Sequence, residues 1–130
     1  MRSKISWTIG LLLVPVIFLA SCSNLASEPR LTEKDQSVDL KVGQGFTISL
    51  EGNMTTGYTW EVEGLDEKMV SRIGDPEFKP ESSLVGAGGI ITLRFKALSP
   101  GSTTIHLVYH RPWEKDQPPL KTYDLAVGIR

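Results

Sequence analysis

Residues 46–62 read FTISLEGNMTTGYTWEV. Apolar residues occupy every second position of 46–50 and again of 58–62. This period of two predicts a half-buried β-strand on each side. The uncharged stretch 53–57 between the strands ends at Gly57, whose backbone can adopt a positive φ or approach another molecule closely. We therefore expect an exposed, shaped loop at one end of a β-domain, a position that commonly carries function.

The same alternation recurs along the chain. Further strands are predicted at 36–42, 69–73 (a weak pattern), 91–97, 103–109 and 123–129. Residues 65–69 could form a single helical turn, and 75–83, with two prolines, are predicted to be an irregular connection. About seven short strands with almost no helical period predict an all-β fold. We expect an immunoglobulin-like antiparallel β-sandwich with Trp60 in its core, and a barrel is the alternative.

Composition and charge exclude several classes of partner and site. The 130 residues suffice for one domain, and the net charge is −1 with no basic stripe, so we expect no nucleic-acid partner. Cys22 is the only cysteine and lies near the N-terminus. The folded part therefore has no disulfide, no cysteine-rich zinc site and no thiol nucleophile.

The N-terminal segment has the pattern of a secretory signal. Arg2 and Lys4 precede an apolar run from Ile9 to Ala20, which is short for a membrane span. The run ends in Leu19-Ala20-Ser21-Cys22, which resembles the bacterial lipobox. The resemblance implies that residues 1–22 are a lipoprotein signal peptide and that Cys22 becomes the lipidated first mature residue. The alternative is an ordinary cleaved signal with an incidental cysteine.

The segment after the cysteine is polar. Residues 23–35 contain Pro29 and mixed charges without an apolar period, so we predict a flexible tether before a folded domain at 36–130. By resemblance to lipoprotein sorting rules, Ser23 favours delivery to the outer membrane. We therefore expect a lipid-anchored protein of the bacterial cell envelope, facing the periplasm or the cell surface.

Three predicted loops stand out. They are Thr55-Thr56-Gly57-Tyr58, Gly86-Ala87-Gly88-Gly89 and Arg111-Pro112-Trp113-Glu114. In an immunoglobulin-like topology, the loops between strands B–C, D–E and F–G can gather at one end of the sandwich. The order of the three stretches matches that assignment.

This trio resembles the chagasin-type inhibitors of papain-like cysteine peptidases. Their motifs are Asn-Pro-Thr-Thr-Gly-Tyr, a Gly-x-Gly-Gly-type cluster and Arg-Pro-Trp-Glu, in that order. Met54 stands where the family typically has proline, so we expect the first loop to be less pre-organised. The resemblance covers residues 36–130.

The resemblance implies a function and a role for each loop. Thr55–Gly57 would form a wedge over the catalytic cysteine of a papain-like protease, with Tyr58 at its root. Gly86–Gly89 would lie along one side of the cleft, and Arg111 and Trp113 would hold the other. The protein would then be a reversible, competitive inhibitor without cofactor, metal or enzymatic activity, and we expect a monomer.

Two other readings stay open. A non-inhibitory immunoglobulin-like envelope module, for adhesion or for carbohydrate or protein binding, would also expose a tryptophan. An enzyme has less support, because no nucleophile set is evident. His106 and His110 share a strand face but lie about 13 Å apart, too far to ligate one metal from that strand. Glu61 and Glu63 are expected on a solvated polar face.

Overall fold

The computed structural model describes residue 10, residues 14–16 and residues 27–130. The described part holds eight strands and one 3₁₀ turn, Met54–Thr56. The strands are β1 Arg30–Leu31, β2 Ser37–Leu40, β3 Gly45–Gly52, β4 Thr59–Glu63, β5 Val70–Pro80, β6 Gly89–Ala97, β7 Gly101–His110 and β8 Lys121–Ile129. The predicted immunoglobulin-like β-sandwich of about seven strands is confirmed.

The strands form two four-stranded sheets. One has the order β1-β3-β6-β5 and the other β2-β8-β7-β4. Pairing is antiparallel except for β1 with β3 and β2 with β8. The connections β3–β4, β4–β5 and β6–β7 each cross from one sheet to the other. The two sheets stay separate, so the barrel alternative does not apply.

The core lies between the two sheets and consists of the alternating apolar residues. Phe46 stacks on Phe95 with ring centroids 5.4 Å apart, and both rings are buried. Trp60 is 2% exposed, and its Nε1 donates a hydrogen bond to the Glu51 carbonyl oxygen at 3.0 Å. The prediction that Trp60 is a core residue is confirmed, and its polar group is satisfied within the protein.

Part of the predicted tether belongs to the sandwich. Residues 23–35 were expected to be flexible, but β1 pairs in parallel with β3, and Leu31 is buried. The Thr47 amide also donates to the Pro29 carbonyl oxygen at 3.0 Å. The prediction is therefore wrong from Pro29 onward. A two-residue strand is too short to produce an alternating pattern in the sequence.

Tyr123 fixes the segment that joins the two sheets after β1. The single hydrogen of its hydroxyl is shared between the carbonyl oxygens of Thr32, 3.1 Å from Oη, and Asp35, 2.5 Å from Oη. Burial raises the pKa of the Tyr123 hydroxyl, and the nearby carboxylates of Asp35 and Glu33 raise it further. The hydroxyl therefore keeps its proton and its donor role at neutral pH.

The strand β5 is longer than the sequence predicts. Residues 75–83 were expected to be irregular, yet β5 continues to Pro80 with a register shift between Ile73 and Glu77. Gly74 has a φ of +67° at this bulge. Because β5 is an edge strand, a proline there costs no interior ladder hydrogen bond.

The predicted signal peptide falls mostly outside the described residues, and so does Cys22. Among the residues that are described, no helix is both long and apolar enough to cross a membrane.

Candidate functional site

Three loops leave the sandwich at the same end. In one sheet, Gly89 lies opposite both Gly52 and Pro80, so β3, β5 and β6 end together. In the other sheet, β4, β7 and β8 also end together. These strand ends are joined by a first loop (53–58), a second loop (81–88) and a third loop (111–120). We call this end of the domain the loop pole.

The first loop is a closed turn held by its own hydrogen bonds. The Asn53 side chain caps the 3₁₀ turn, with Oδ1 accepting from the Thr55 amide at 3.1 Å and from its hydroxyl at 2.5 Å. Gly57 ends the turn in the left-handed conformation, and its amide donates to the Met54 carbonyl oxygen at 3.1 Å. These bonds supply the constraint that a proline at position 54 would otherwise give.

The third loop is braced against the first by Arg111. Its Nε donates to the Thr56 carbonyl oxygen at 3.0 Å, and its Nη1 donates to Glu114 Oε1 at 3.1 Å. The guanidinium carbon also lies 4.5 Å from the centroid of the Tyr58 ring. Arg111, Glu114 and Tyr58 therefore hold the two loops together, and the charge of Arg111 is neutralised within the loop pole.

Trp113 completes the ridge at the top of the loop pole. Its side chain is 66% exposed, and its ring lies directly against Gly57. A Cβ on Gly57 would overlap Trp113 Cη2 and would lie 3.0 Å from Cζ2. Thr55 and Thr56 are exposed beside it. We call Thr55–Gly57 together with Trp113 the wedge, because these residues form one exposed, uncharged ridge from two loops.

The second loop joins the loop pole through one hydrogen bond. Asn53 Nδ2 donates to the carbonyl oxygen of Gly86, which is exposed and has a φ of +80°. Ala87 and Gly88 are half-buried. Gly89, which the resemblance placed in the contact set, is buried inside β6, where a Cβ would lie 2.7 Å from the Pro80 Cα. Gly86 is therefore the exposed residue of this motif, and Gly89 offers the least surface of the four.

Exposed apolar side chains extend the loop pole beyond the motifs. Val85 is fully exposed, Leu84 is 77% exposed, Leu120 62% and Met54 36%. Leu84, Val85 and Leu120 lie outside the three motifs predicted to form the contact surface. The usable signal was the pair Leu84-Val85 in a stretch with no strand or helix period, where a core role is not needed. Val42, Ile73 and Leu98, elsewhere on the domain, are exposed by only 40–48%, so the most exposed apolar side chains of residues 27–130 lie at this end. Such a grouping of exposed apolar surface is typical of an interaction site.

The two histidines lie on the outer face of the β2-β8-β7-β4 sheet. His110 Nε2 is 2.7 Å from Glu61 Oε2, and His106 Nδ1 contacts Asp124 Oδ1. Each imidazole therefore has its own carboxylate partner. Within the described ranges, no group of three or more His, Cys, Asp or Glu side chains is placed to hold a metal ion.

Comparison with known proteins identifies the family. Residues 39–127 match the model of the chagasin family of peptidase inhibitors, I42. Amoebiasin-2 of Entamoeba histolytica is 34% identical over 119 residues, covering 88% of this chain and 97% of that protein. Chagasin of Trypanosoma cruzi is 33% identical over 82 residues, covering 59% and 74%.

A solved structure is similar as well. The crystal structure of the cysteine protease inhibitor EhICP2 from Entamoeba histolytica matches with a TM-score of 0.66 and 34% identity. The match covers 78% of this chain and 94% of that one. The motifs, the sandwich and these relatives agree, and the chain belongs to the chagasin family of peptidase inhibitors, I42.

Proposed function

We propose that this protein is a reversible, competitive inhibitor of papain-like cysteine proteases and that the loop pole occupies their active-site cleft. One observation carries the proposal. Three loops that are distant in the sequence are joined by hydrogen bonds into one exposed surface whose apex, the wedge, carries no charge. A surface that is already ordered loses little conformational entropy on binding.

The chemistry of the target explains why the apex is neutral and closed. A papain-like protease holds a thiolate and an imidazolium in its cleft. The uncharged wedge enters this site without desolvating a charge of its own.

The turn also resists cleavage. The carbonyl oxygens of Asn53, Met54 and Thr56 already accept hydrogen bonds from Thr56, Gly57 and Arg111. A peptide curled in this way offers no extended scissile bond to the thiolate, so the protease is blocked and the inhibitor stays intact.

The flanks of the loop pole supply most of the contact energy in this proposal. On one side, Trp113 at the third-loop end of the wedge is an exposed aromatic residue of the type that dominates interface energetics. Leu84 and Val85 on the other side are exposed aliphatic residues, and Gly86 between them and the wedge allows close backbone approach. Contact on both sides of the cleft would centre Thr55–Gly57 over the catalytic cysteine.

The test is a titration of residues 23–130 against papain with a fluorogenic peptide substrate. We expect inhibition at micromolar concentration or below, an apparent KM that rises at constant kcat, and intact inhibitor on a gel after hours of incubation. The chain alone should not hydrolyse the peptide, and trypsin should be unaffected. Absence of inhibition at micromolar protein would favour the non-inhibitory envelope module instead.

We further propose that the protein acts as a monomer anchored through lipid on Cys22 in the bacterial cell envelope, at the outer membrane. The fold favours this arrangement, because the N-terminal segment joins the domain at the end opposite the loop pole. The Glu28 carboxylate lies against Gly45, at the start of β3, whereas the first loop follows the end of that strand. Seven residue steps of β-strand separate the two ends by about 24 Å.

Fractionation of cells tests the anchor. Wild-type protein should sediment with the membrane fraction and incorporate labelled palmitate, whereas Cys22→Ala should do neither. A Cys22→Ala protein that stays in the membrane fraction would contradict the lipid anchor. Light scattering of residues 23–130 at the concentrations of the inhibition assay tests the monomer.

A further inference from the structure

One buried tyrosine lies beneath the first and third loops. Tyr109 is 6% exposed, and its Oη accepts a hydrogen bond from the Asn53 amide at 2.7 Å. Its ring centroid lies 5.3 Å from that of Tyr58 and 5.1 Å from that of Trp60. The two ends of the first loop are therefore both fixed to this side chain, one by a hydrogen bond and the other by ring stacking.

Asn53 passes this constraint to the other loops. Its Oδ1 caps the turn at Thr55, and its Nδ2 donates to the Gly86 carbonyl oxygen at 3.0 Å. On the other side of Tyr109, the Tyr58 ring carries the Arg111 guanidinium. A continuous set of contacts thus runs from the second loop through Asn53, Tyr109 and Tyr58 to the third loop.

We infer that Tyr109 and Asn53 are positioning residues, which set the spacing of the three loops so that all three engage a protease together. The inference rests on the proposed function. Tyr109 is buried, so its effect on inhibition must pass through the loops. Loss of its hydroxyl releases the Asn53 amide, and the first and second loops then sample arrangements that do not fit the cleft. Apparent affinity falls in proportion to the fraction of competent molecules.

This mechanism has a kinetic signature. If only a fraction of the free inhibitor is competent, the association rate constant falls in proportion to that fraction, while the bound complex dissociates at nearly the wild-type rate. A residue that contacts the protease directly would instead raise the dissociation rate constant. The ratio of the two effects therefore distinguishes a positioning residue from a contact residue.

The test uses Tyr109→Phe with Tyr123→Phe as the matched control. Both variants delete one tyrosine hydroxyl that is hydrogen-bonded to the backbone, but the partners of Tyr123 are Thr32 and Asp35, which belong to none of the three loops. For Tyr109→Phe we expect an association rate constant toward papain that is about threefold to tenfold lower, the range of one hydrogen bond. The dissociation rate constant should stay within about twofold. Tyr123→Phe should leave both constants unchanged.

A second variant tests the link between the loops. In Asn53→Ser the shorter side chain still caps the turn but does not reach Gly86. We expect faster amide exchange in the second loop of the free protein and, again, a lower association rate constant. In free Tyr109→Phe, the Asn53 amide should exchange about tenfold faster than in the wild type.

The outcomes separate this inference from the proposed function. A wild-type protein that does not inhibit papain contradicts the proposed function, while amide exchange in the free variants still tests the coupling of the loops. Unchanged exchange in both variants overturns the inference. It is also overturned if inhibition weakens only through faster dissociation, or if Tyr123→Phe lowers the association rate constant equally.

Discussion

The contact between Gly57 and Trp113 can be tested with one methyl group. Gly57 has a φ of +85°, so Gly57→Ala forces an L-residue into a left-handed conformation that costs about 1–2 kcal/mol. The new Cβ would also overlap Trp113 Cη2, and the exposed indole must swing away. If the displaced Trp113 no longer anchors the complex, the loss is at least ~2 kcal/mol, or about 30-fold in the inhibition constant.

Gly43 provides a matched control. It also has a φ of +85°, but it lies in the turn before β3, at the opposite end, and a Cβ there meets no atom within 4 Å. Both alanine variants should therefore lose similar stability, roughly 4–16 °C in Tm. Only Gly57→Ala should weaken inhibition. Circular dichroism melting and progress curves with papain measure the two quantities. If both variants inhibit like the wild type, or if Gly43→Ala is equally impaired, the wedge does not work as proposed.

Three further changes have distinct expected results. Trp113→Ala should weaken papain inhibition about 30-fold, from the loss of a ~2 kcal/mol anchor, with Tm nearly unchanged because the side chain is exposed. Arg111→Lys should weaken inhibition roughly fivefold, because an ammonium lacks the planar fork that reaches Thr56 and Glu114 together. Because of Tyr123, the free energy of unfolding should depend on pH in the alkaline range. Because the folded state holds its proton more tightly than the unfolded chain, this stabilisation is present below about pH 10 and is lost as the pH rises through the folded pKa. Urea unfolding between pH 8 and 11 should show this decline in the wild type and a smaller one in Tyr123→Phe.

The sandwich could be predicted because most strands carry a long alternating pattern. The pattern is regular in β3 and β6, which pair through eight residues with one face in the core. The prediction failed where that signal is absent. β1 has two residues, and β5 is an edge strand whose register shifts at a bulge near Gly74 and Pro76. Both strands are defined by pairing with a neighbour, which local sequence does not encode.

The convergence of the three loops followed from topology, but their mutual contacts did not. Arg111 and Thr56 are 55 residues apart in the chain, and their hydrogen bond depends on how β4 and β7 are aligned. Tyr109 fits the alternating core pattern, so the sequence predicts only that its ring is buried. It does not show that the hydroxyl also accepts a hydrogen bond from the Asn53 amide. An asparagine two residues before Thr55 was a usable capping signal.

The residue at position 54 gives the sharpest test of whether the first loop is already ordered. Met54 is the first residue of the 3₁₀ turn, and Asn53 before it is extended, with φ −134° and ψ 93°. Both features are compatible with proline at position 54. Met54→Pro should therefore raise stability by about 0.4–1 kcal/mol, because it restricts the unfolded chain.

Affinity for papain should change by less than about threefold, because the hydrogen bonds of Asn53, Thr55 and Gly57 already select the bound shape. Melting curves and inhibition constants toward papain, measured for the wild type and Met54→Pro, test both expectations. A gain in affinity of more than about tenfold would mean that the wild-type loop is disordered before binding. The hydrogen bonds of the turn would then form only when the inhibitor binds the protease.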